Sequence, residues 1–451
     1  MLSFRKFRFN NIKLSRHIST LVPWTKQKSL NPINISMATG PYLFSKNRKI
    51  IDFTSGLMVV NLGHNNEYIY EGIKKHINTG IGYISPFFSS NERERLSERL
   101  IKISELENGK VFYTNGGADA NEVAIFIALE YQKEKSCNKS KNSKIKKRIL
   151  SFQRSFHGGS SIASCIVSGD ERKIGKLNHF NEFSNKLESI VPNPFISDNG
   201  KNTLSFLENE FKKGNVCSVL FEGSSGTAGL ILYPKLFLQK VKNLCDKYGV
   251  LFICDEVMSG WGRTGELFGH QQHNIKPDII TTAKAITNGY VQLGAVMINE
   301  KISKIFDDKP ILAGLTYFGH PLACSVANRC LDLYLENNRE VIKNCNEKGK
   351  EILLLGKDLE NNIPIIKEYR TNGLLGCFEL NNKDDNKLLE INNDTKFIIH
   401  GLYRINRENL FTKTQNEISS NRNEFNSFTE VVDYFIPTNK IYLGLTFEIG
   451  M

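Results

Sequence analysis

Apolar residues in this chain gather into short, β-branched runs separated by stretches of helical spacing. Residues 216–222, 250–257 and 278–284 are the clearest runs, and each ends in charge: at Glu222, at Asp255-Glu256 and at Lys284. Nearly continuous apolar runs of this length predict strands buried on both faces. Between the first two, Phe237, Val241, Leu244 and Tyr248 recur at helical spacing, and Gly249 supplies a stop. Strand, helix and strand in that order make a βαβ unit, so the chain is α/β with a mainly parallel sheet. Further strands are predicted at 149–152, 294–298 and 370–380, and helices at 123–129 and from 322 to about 335. Residues 24–64 alternate short strands with turns. The Lys/Ser/Asn-rich stretch 132–148 lacks apolar periodicity and reads as an inserted surface loop.

In an open α/β sheet, ligands sit beyond the carboxyl ends of the strands, which puts Asp255 and Lys284 at one crevice. An acid and an amine there are either a cofactor-binding pair or a salt bridge at the sheet edge. Residues 111–122 pass from a strand through Asn115, Gly116 and Gly117 into a helix. The amides of a helix N-terminus suit a phosphate, although an ordinary strand-to-helix turn reads the same way. After the 149–152 strand comes Phe156-His157-Gly158-Gly159, where His157 is a site residue or a structural one. The aromatics of residues 83–88 read first as core and second as pocket. Residues 260–265 carry the letters of a dinucleotide fingerprint, but that motif must open a helix packed on its strand, and residues 266–270 offer barely one turn.

Charge and cysteine usage narrow the function classes. The net charge is +12, yet residues 1–30 and 132–148 each contribute seven net positive charges, leaving −2 for the remainder. A nearly neutral body argues against a nucleic-acid partner. Nine cysteines without a Cys-x-x-Cys pair fit reduced thiols rather than a zinc site or a disulfide framework, and no metal is expected. No apolar run reaches the roughly 18 residues a membrane-spanning helix needs. Residues 1–20 carry Arg, Phe and Ser, and the first acid of the chain is Asp52. This leader reads as a mitochondrial presequence, with a disordered basic tail as the alternative.

Residues 115–122, Phe156-His157-Gly158, 222–226, Asp255-Glu256-Val257, Lys284 and 316–321 fall in an order that resembles the class III branch of the pyridoxal-phosphate (PLP) aminotransferases, of fold type I. The resemblance covers roughly residues 24 to 380. Residues 57–61, 83–88, 258–265 and 314–317 are most similar to the omega-amino-acid:pyruvate group, including taurine:pyruvate-type enzymes. It implies a large domain over 66–325 with a seven-stranded sheet, and a smaller α+β domain from residues 24–65 and 326–451, divergent after about 410. It implies that Lys284 binds the PLP aldehyde and moves a proton, and that Asp255 pairs with the pyridine nitrogen. Val257, on the Asp255 strand face, and Phe156 would bracket the ring; His157 and Glu222 would lie around the cofactor.

By the same resemblance Gly116, Gly117 and Ala118 would hold the phosphate, with Thr316 reaching it from the partner subunit of a homodimer. Trp24, Met58, Tyr83 and Phe87 would line a channel for an amine substrate, and a 2-oxo acid such as pyruvate would accept the amino group. Three positions depart from the family pattern. Ala118 lacks a hydroxyl common there, Gly223 stands where a proline is common after the glutamate, and the C-terminal arginine that binds a substrate carboxylate has no clear equivalent. Arg404 or Arg407 is the expected replacement, with Arg370, Lys413 or a loss of tight acid binding as alternatives. Another PLP reaction on the same scaffold (a decarboxylase, lyase or aminomutase) and a catalytically silent binding protein are the rival readings.

Overall fold

The stretch of short strands folds as an antiparallel sheet of β1 (Met37–Thr39), β2 (Tyr42–Ser45) and β3 (Arg48–Ile51). The structure is a computed structural model that describes residues 20–23, 27–29, 32–46, 48–137, 145–160, 188–194, 196–226, 229–362, 364 and 366–380. Trp24, Arg404, Arg407, Lys413 and residues 1–19 of the expected leader lie outside the described residues. Helices α1 (Glu67–Ile77) and α2 (Asn91–Ser104) follow, and Asn66 caps α1 by accepting from the Ile69 amide.

Seven strands then form the main sheet: β4 (Lys110–Thr114), β5 (Arg148–Phe152), β6 (Glu188–Val191), β7 (Val216–Glu222), β8 (Leu251–Asp255), β9 (Ile279–Thr282) and β10 (Gly294–Ile298). Their order is β4-β10-β9-β8-β7-β5-β6. All neighbours are parallel except β10, which runs antiparallel to both β4 and β9. The apolar runs are continuous because alternate residues feed two cores. Leu251 and Ile253 of β8 join Ala124, Ile127 and Ala128 of α3 (Gly117–Cys137) on one face. Phe252 and Cys254 join the other face, with Leu207 and Phe211 of α4 (Lys201–Lys212) and Phe237 and Val241 of α5 (Phe237–Tyr248). Gly249 ends α5 in the left-handed region at φ 61°.

Three sequence expectations change. Helix α3 continues to Cys137, into the stretch read as loop, because Gln132 is buried and its amide donates to the carbonyls of Cys217 and Gly249, both at 3.1 Å. The helix read from 322 to about 335 belongs to α6 (Pro321–Asn362), two helical segments joined across a break at residues 336–339. Residues 370–380 are not one strand: β11 (Ile366–Asn372) and β12 (Leu375–Leu380) form an antiparallel hairpin turning at Gly373, φ 60°. A Cβ on Gly373 would lie 2.5 Å from the Thr264 carbonyl carbon, so only glycine lets this turn close against the loop after β8. Among the described residues no helix is long and apolar enough to cross a membrane, and seven of the eight described cysteines are buried free thiols.

Candidate active site

Asp255 is the last residue of β8, in parallel register with Thr281 on β9. Lys284 follows β9 by two residues and opens a single 3-10 turn, Lys284–Thr287, not the strand end itself. Its backbone is left-handed at φ 51°, a conformation that costs a lysine roughly 1 kcal/mol or more and persists only where its surroundings impose it. Here the amides of Ile286 and Asn288 donate to the carbonyls of Ala283 and Ala285.

Asp255 is buried, and its carboxylate accepts hydrogen bonds from Asn121, His157 and the Val257 amide. Oδ2 accepts from Asn121 Nδ2 at 2.7 Å and from His157 Nδ1 at 2.9 Å, while Oδ1 accepts from the Val257 amide at 2.9 Å. A carboxylate acceptor places the His157 proton on Nδ1. Asn121 also donates to the His157 carbonyl at 2.8 Å and accepts from Thr281 Oγ1 at 2.7 Å. One buried amide thus ties together α3, the 156–158 loop, β8 and β9. Sequence reading singled out neither Asn121 nor Thr281; the available signal was that Asn121 falls one helical turn after Gly117.

Helix α3 opens at Gly117, so its positive end offers the phosphate seat expected of residues 116–118. Asp119 accepts from the Asn115 amide at 2.9 Å and closes the turn before it. Val257 is not on the strand face of Asp255. The ladder ends at Asp255, whose Oδ1 takes the Val257 amide, and the Val257 side chain packs on α3, 2.7 Å from where a Gly117 Cβ would lie. The glycine is therefore a packing requirement as well as a turn residue.

Glu222, at the end of β7, spends both carboxylate oxygens on backbone amides: Phe156 at 3.1 Å and Gly226 at 2.8 Å. It holds the backbone of half-buried Phe156 in place. Burial pushes the Glu222 carboxyl above its ordinary value, against the pull of His157 and the amides. Glu256 faces the other way and accepts from the amides of Gly269 and His270, from His270 Nδ1 (each 2.8 Å) and from Ser259 Oγ at 2.5 Å. Burial alone would raise its carboxyl, but these donors outweigh it and hold it below the ordinary value. Gly223 fits beneath: a Cβ there would overlap Glu256 Oε1.

The expected substrate residues separate. Met58 is buried with Leu230, Met258, Leu375 and Cys377, where the hairpin meets the main sheet's loops. Tyr83 packs edge-on against Tyr317, ring centroids 5.5 Å apart, and its hydroxyl is buried without a hydrogen bond. Phe87 is 96% exposed and Phe88 is exposed as well, so these two rings do not form core in the single chain, while Tyr83 is half-buried; Thr316 is exposed. Arg370 is committed elsewhere. Nη1 pairs with Glu368 and with Glu379 at 2.5 Å, and Nε and Nη2 donate to the Gly229 carbonyl. It clamps the hairpin to the loop after β7, so its donors are engaged by Glu368, Glu379 and Gly229 rather than offered to a substrate carboxylate. Residues 260–265 form turns with no long helix behind them, as their context predicts.

A lysine in an imposed turn, an acid held by donors on the adjacent strand and a helix N-terminus define a fold-type-I site whose donor set fits PLP: amine for aldehyde, carboxylate for ring nitrogen, amides for phosphate. A family model described as "Aminotransferase class-III" matches residues 25–409. The chain belongs to the class III aminotransferases and is a PLP-dependent transaminase acting on amine and keto-acid substrates. It is 32% identical to a vanillin aminotransferase from Capsicum annuum, covering 81% of this chain and 82% of that one. It is 30% identical to gamma aminobutyrate transaminase 2 from Solanum lycopersicum, covering 79% and 80%. The fold is shared with a taurine:2-oxoglutarate aminotransferase from Bifidobacterium kashiwanohense in complex with PLP and glutamate, at TM-score 0.72, 31% identity and 80% coverage of each chain.

Proposed function

We propose that this transaminase takes the amino group of an omega-amino acid or aliphatic primary amine and passes it to a small 2-oxo acid such as pyruvate. The observation that carries the donor side is the aromatic rim. Tyr83 packs on Tyr317, in the segment that bears Thr316, and Phe87, four residues after Tyr83, stands exposed. Such a surface suits an amine at the end of a short apolar chain, and relatives named for gamma aminobutyrate, taurine and vanillin support terminal amines.

When bound, PLP supplies an electron sink for the substrate carbon that loses its proton. The chain does the rest. Lys284 Nζ would hold the aldehyde and then carry the proton, and Asp255, its carboxylate fixed by Asn121 and His157, would keep the ring nitrogen protonated. Gly116, Gly117 and Ala118 would seat the phosphate at the α3 terminus. Phe156 would cover one ring face, its backbone held by Glu222, and Val257 would meet the other. Arg404 or Arg407 would bind the carboxylate of the oxo acid, since Arg370 is engaged in the hairpin.

The reading extends to a homodimer with shared sites, supported by exposed Phe87, Phe88, Leu312 and Tyr317 beside Thr316. It extends to a mitochondrial matrix location through residues 1–20, and to a large domain over 66–325 with a small domain from the flanking segments.

The deciding experiment measures alanine formation from pyruvate, and glutamate formation from 2-oxoglutarate, over a panel of amines that includes β-alanine, taurine, gamma aminobutyrate and neutral alkylamines. Pyruvate-dependent transfer from terminal amines is expected. Exclusive use of α-amino donors, a strong preference for 2-oxoglutarate, or carbon dioxide release without amino transfer overturns the reading.

A further inference from the structure

Arg263 is 5% exposed, and among the described residues no carboxylate forms a salt bridge with it; Asp52 attracts it only from beyond pairing distance. Its Nη2 donates to Asn61 Oδ1, and its Nε is buried without a hydrogen bond. Buried guanidinium groups ordinarily have an anionic partner, because an uncompensated charge in a low-dielectric interior is costly. Burial draws the group down to about 10, which leaves it charged at neutral pH.

Arg263 lines a small pocket whose residues include none of those assigned above to the cofactor or the substrate. Trp261, Val341, Cys345 and Leu374 form apolar walls, while Asn61, exposed Asn344 and Lys348 add polar groups. Lys348 also pairs with Glu351 at 2.6 Å, so Arg263 is the cation left to compensate. The Trp261 wall is anchored by its indole nitrogen, which donates to Thr282 Oγ1 at 2.8 Å, at the end of the strand that leads to Lys284. The pocket is thus charged at one point, apolar around it and open at Asn344.

We propose that this pocket is a second ligand site, which binds the carboxylate of a small organic acid on Arg263 with the acid's short aliphatic part against Trp261, Val341 and Leu374. Apolar walls favour a carboxylic acid over a bare inorganic anion, and the small volume limits it to a few carbons.

Trp24 and Trp261 are the two tryptophans of the chain, so a Trp24→Phe holoenzyme reports from the pocket wall alone. Titrating acetate and propionate should give a saturable change in Trp261 fluorescence, and the neutral isosteres acetamide and propionamide should give none. Arg263→Met should abolish the response. Because that change can also unfold the protein, Asn344→Asp is the second variant: exposed and isosteric, it puts a competing carboxylate at the mouth and should raise the Kd about tenfold or more. The KM for the oxo-acid substrate should not move in Asn344→Asp. An equal response to the amides, an unchanged Kd in Asn344→Asp, or a parallel rise in KM that traces the signal to the active site overturns the proposal.

Discussion

Asn121 Nδ2 lies 2.7 Å from Asp255 Oδ2 and hydrogen-bonds it from one turn inside the helix that opens at Gly117. The acid is thereby positioned from helix α3, whose N-terminus is the proposed phosphate seat, as well as from its own strand. Asp255→Ala should lower turnover by orders of magnitude even with saturating cofactor. Asn121→Leu removes one charge-assisted hydrogen bond and should cost about 10- to 100-fold. Steady-state kinetics with added PLP checks both, and near-normal turnover of Asp255→Ala sinks the proposed role of the acid.

Borohydride reduction of the holoenzyme followed by peptide mapping should place the pyridoxyl group on Lys284. The imposed left-handed turn at φ 51° makes this lysine the expected attachment point. A label on another lysine contradicts the assignment.

Placing at position 223 the proline that the family resemblance leads one to expect should harm this chain. A Cβ there meets Glu256, and proline would also delete the amide that donates to the Asp255 carbonyl at 3.0 Å. Overpacking alone costs about 1–3 kcal/mol, so Gly223→Pro should lower the unfolding midpoint measured by denaturant titration. An unchanged or higher midpoint shows that the loop can repack.

The pair of Glu256 and His270 sets an acid limit. The Glu256 carboxyl is held below its unfolded value of 4.5, so its contribution is fully present above that pH and is lost as pH falls through the lower folded value. Glu256→Gln should destabilise the protein at neutral pH by about 3 kcal/mol, as expected for breaking a buried pair. It should also flatten the loss of stability below pH 4.5, which thermal unfolding across pH 3–7 would reveal. A variant with the wild-type acid profile refutes the linkage.

The arginines divide by role. Arg370→Met should destabilise the hairpin and change the KM for acid and neutral substrates together, because its donors are spent on Glu368, Glu379 and Gly229. Arg404→Ala or Arg407→Ala should raise the KM for pyruvate more than for a neutral amine. Equal effects on both substrate types would place the carboxylate ligand elsewhere.

The central strands and their charged ends were legible because β7, β8 and β9 are buried on both faces, which leaves uninterrupted apolar runs. Periodicity could not show the reach of Gln132 from α3 to the carbonyls of Cys217 and Gly249. Nor could it show the hairpin turn at Gly373, fixed by the approach of Thr264 from a distant loop. Glu222 and Glu256 look alike as strand-end acids in the sequence. Only three-dimensional donors separate their roles, two amides at the Phe156 loop for one and the His270 turn for the other. The tie of Asn121 to Asp255 spans 134 positions, beyond any local pattern.

The antiparallel placement of β10 also has a consequence for how the molecule assembles. Strand β4, whose carboxyl end leads into the glycine turn, sits at the sheet edge and pairs with β10 at residues 294–298. A ribosome must therefore release nearly two-thirds of the chain before that edge can dock, and until then β4 stays an unpaired, apolar segment. Closing so large a loop is slow and exposes sticky surface. Chaperone demand during synthesis should fall on the interval between residues 114 and 294, and cofactor capture should be among the last events of folding.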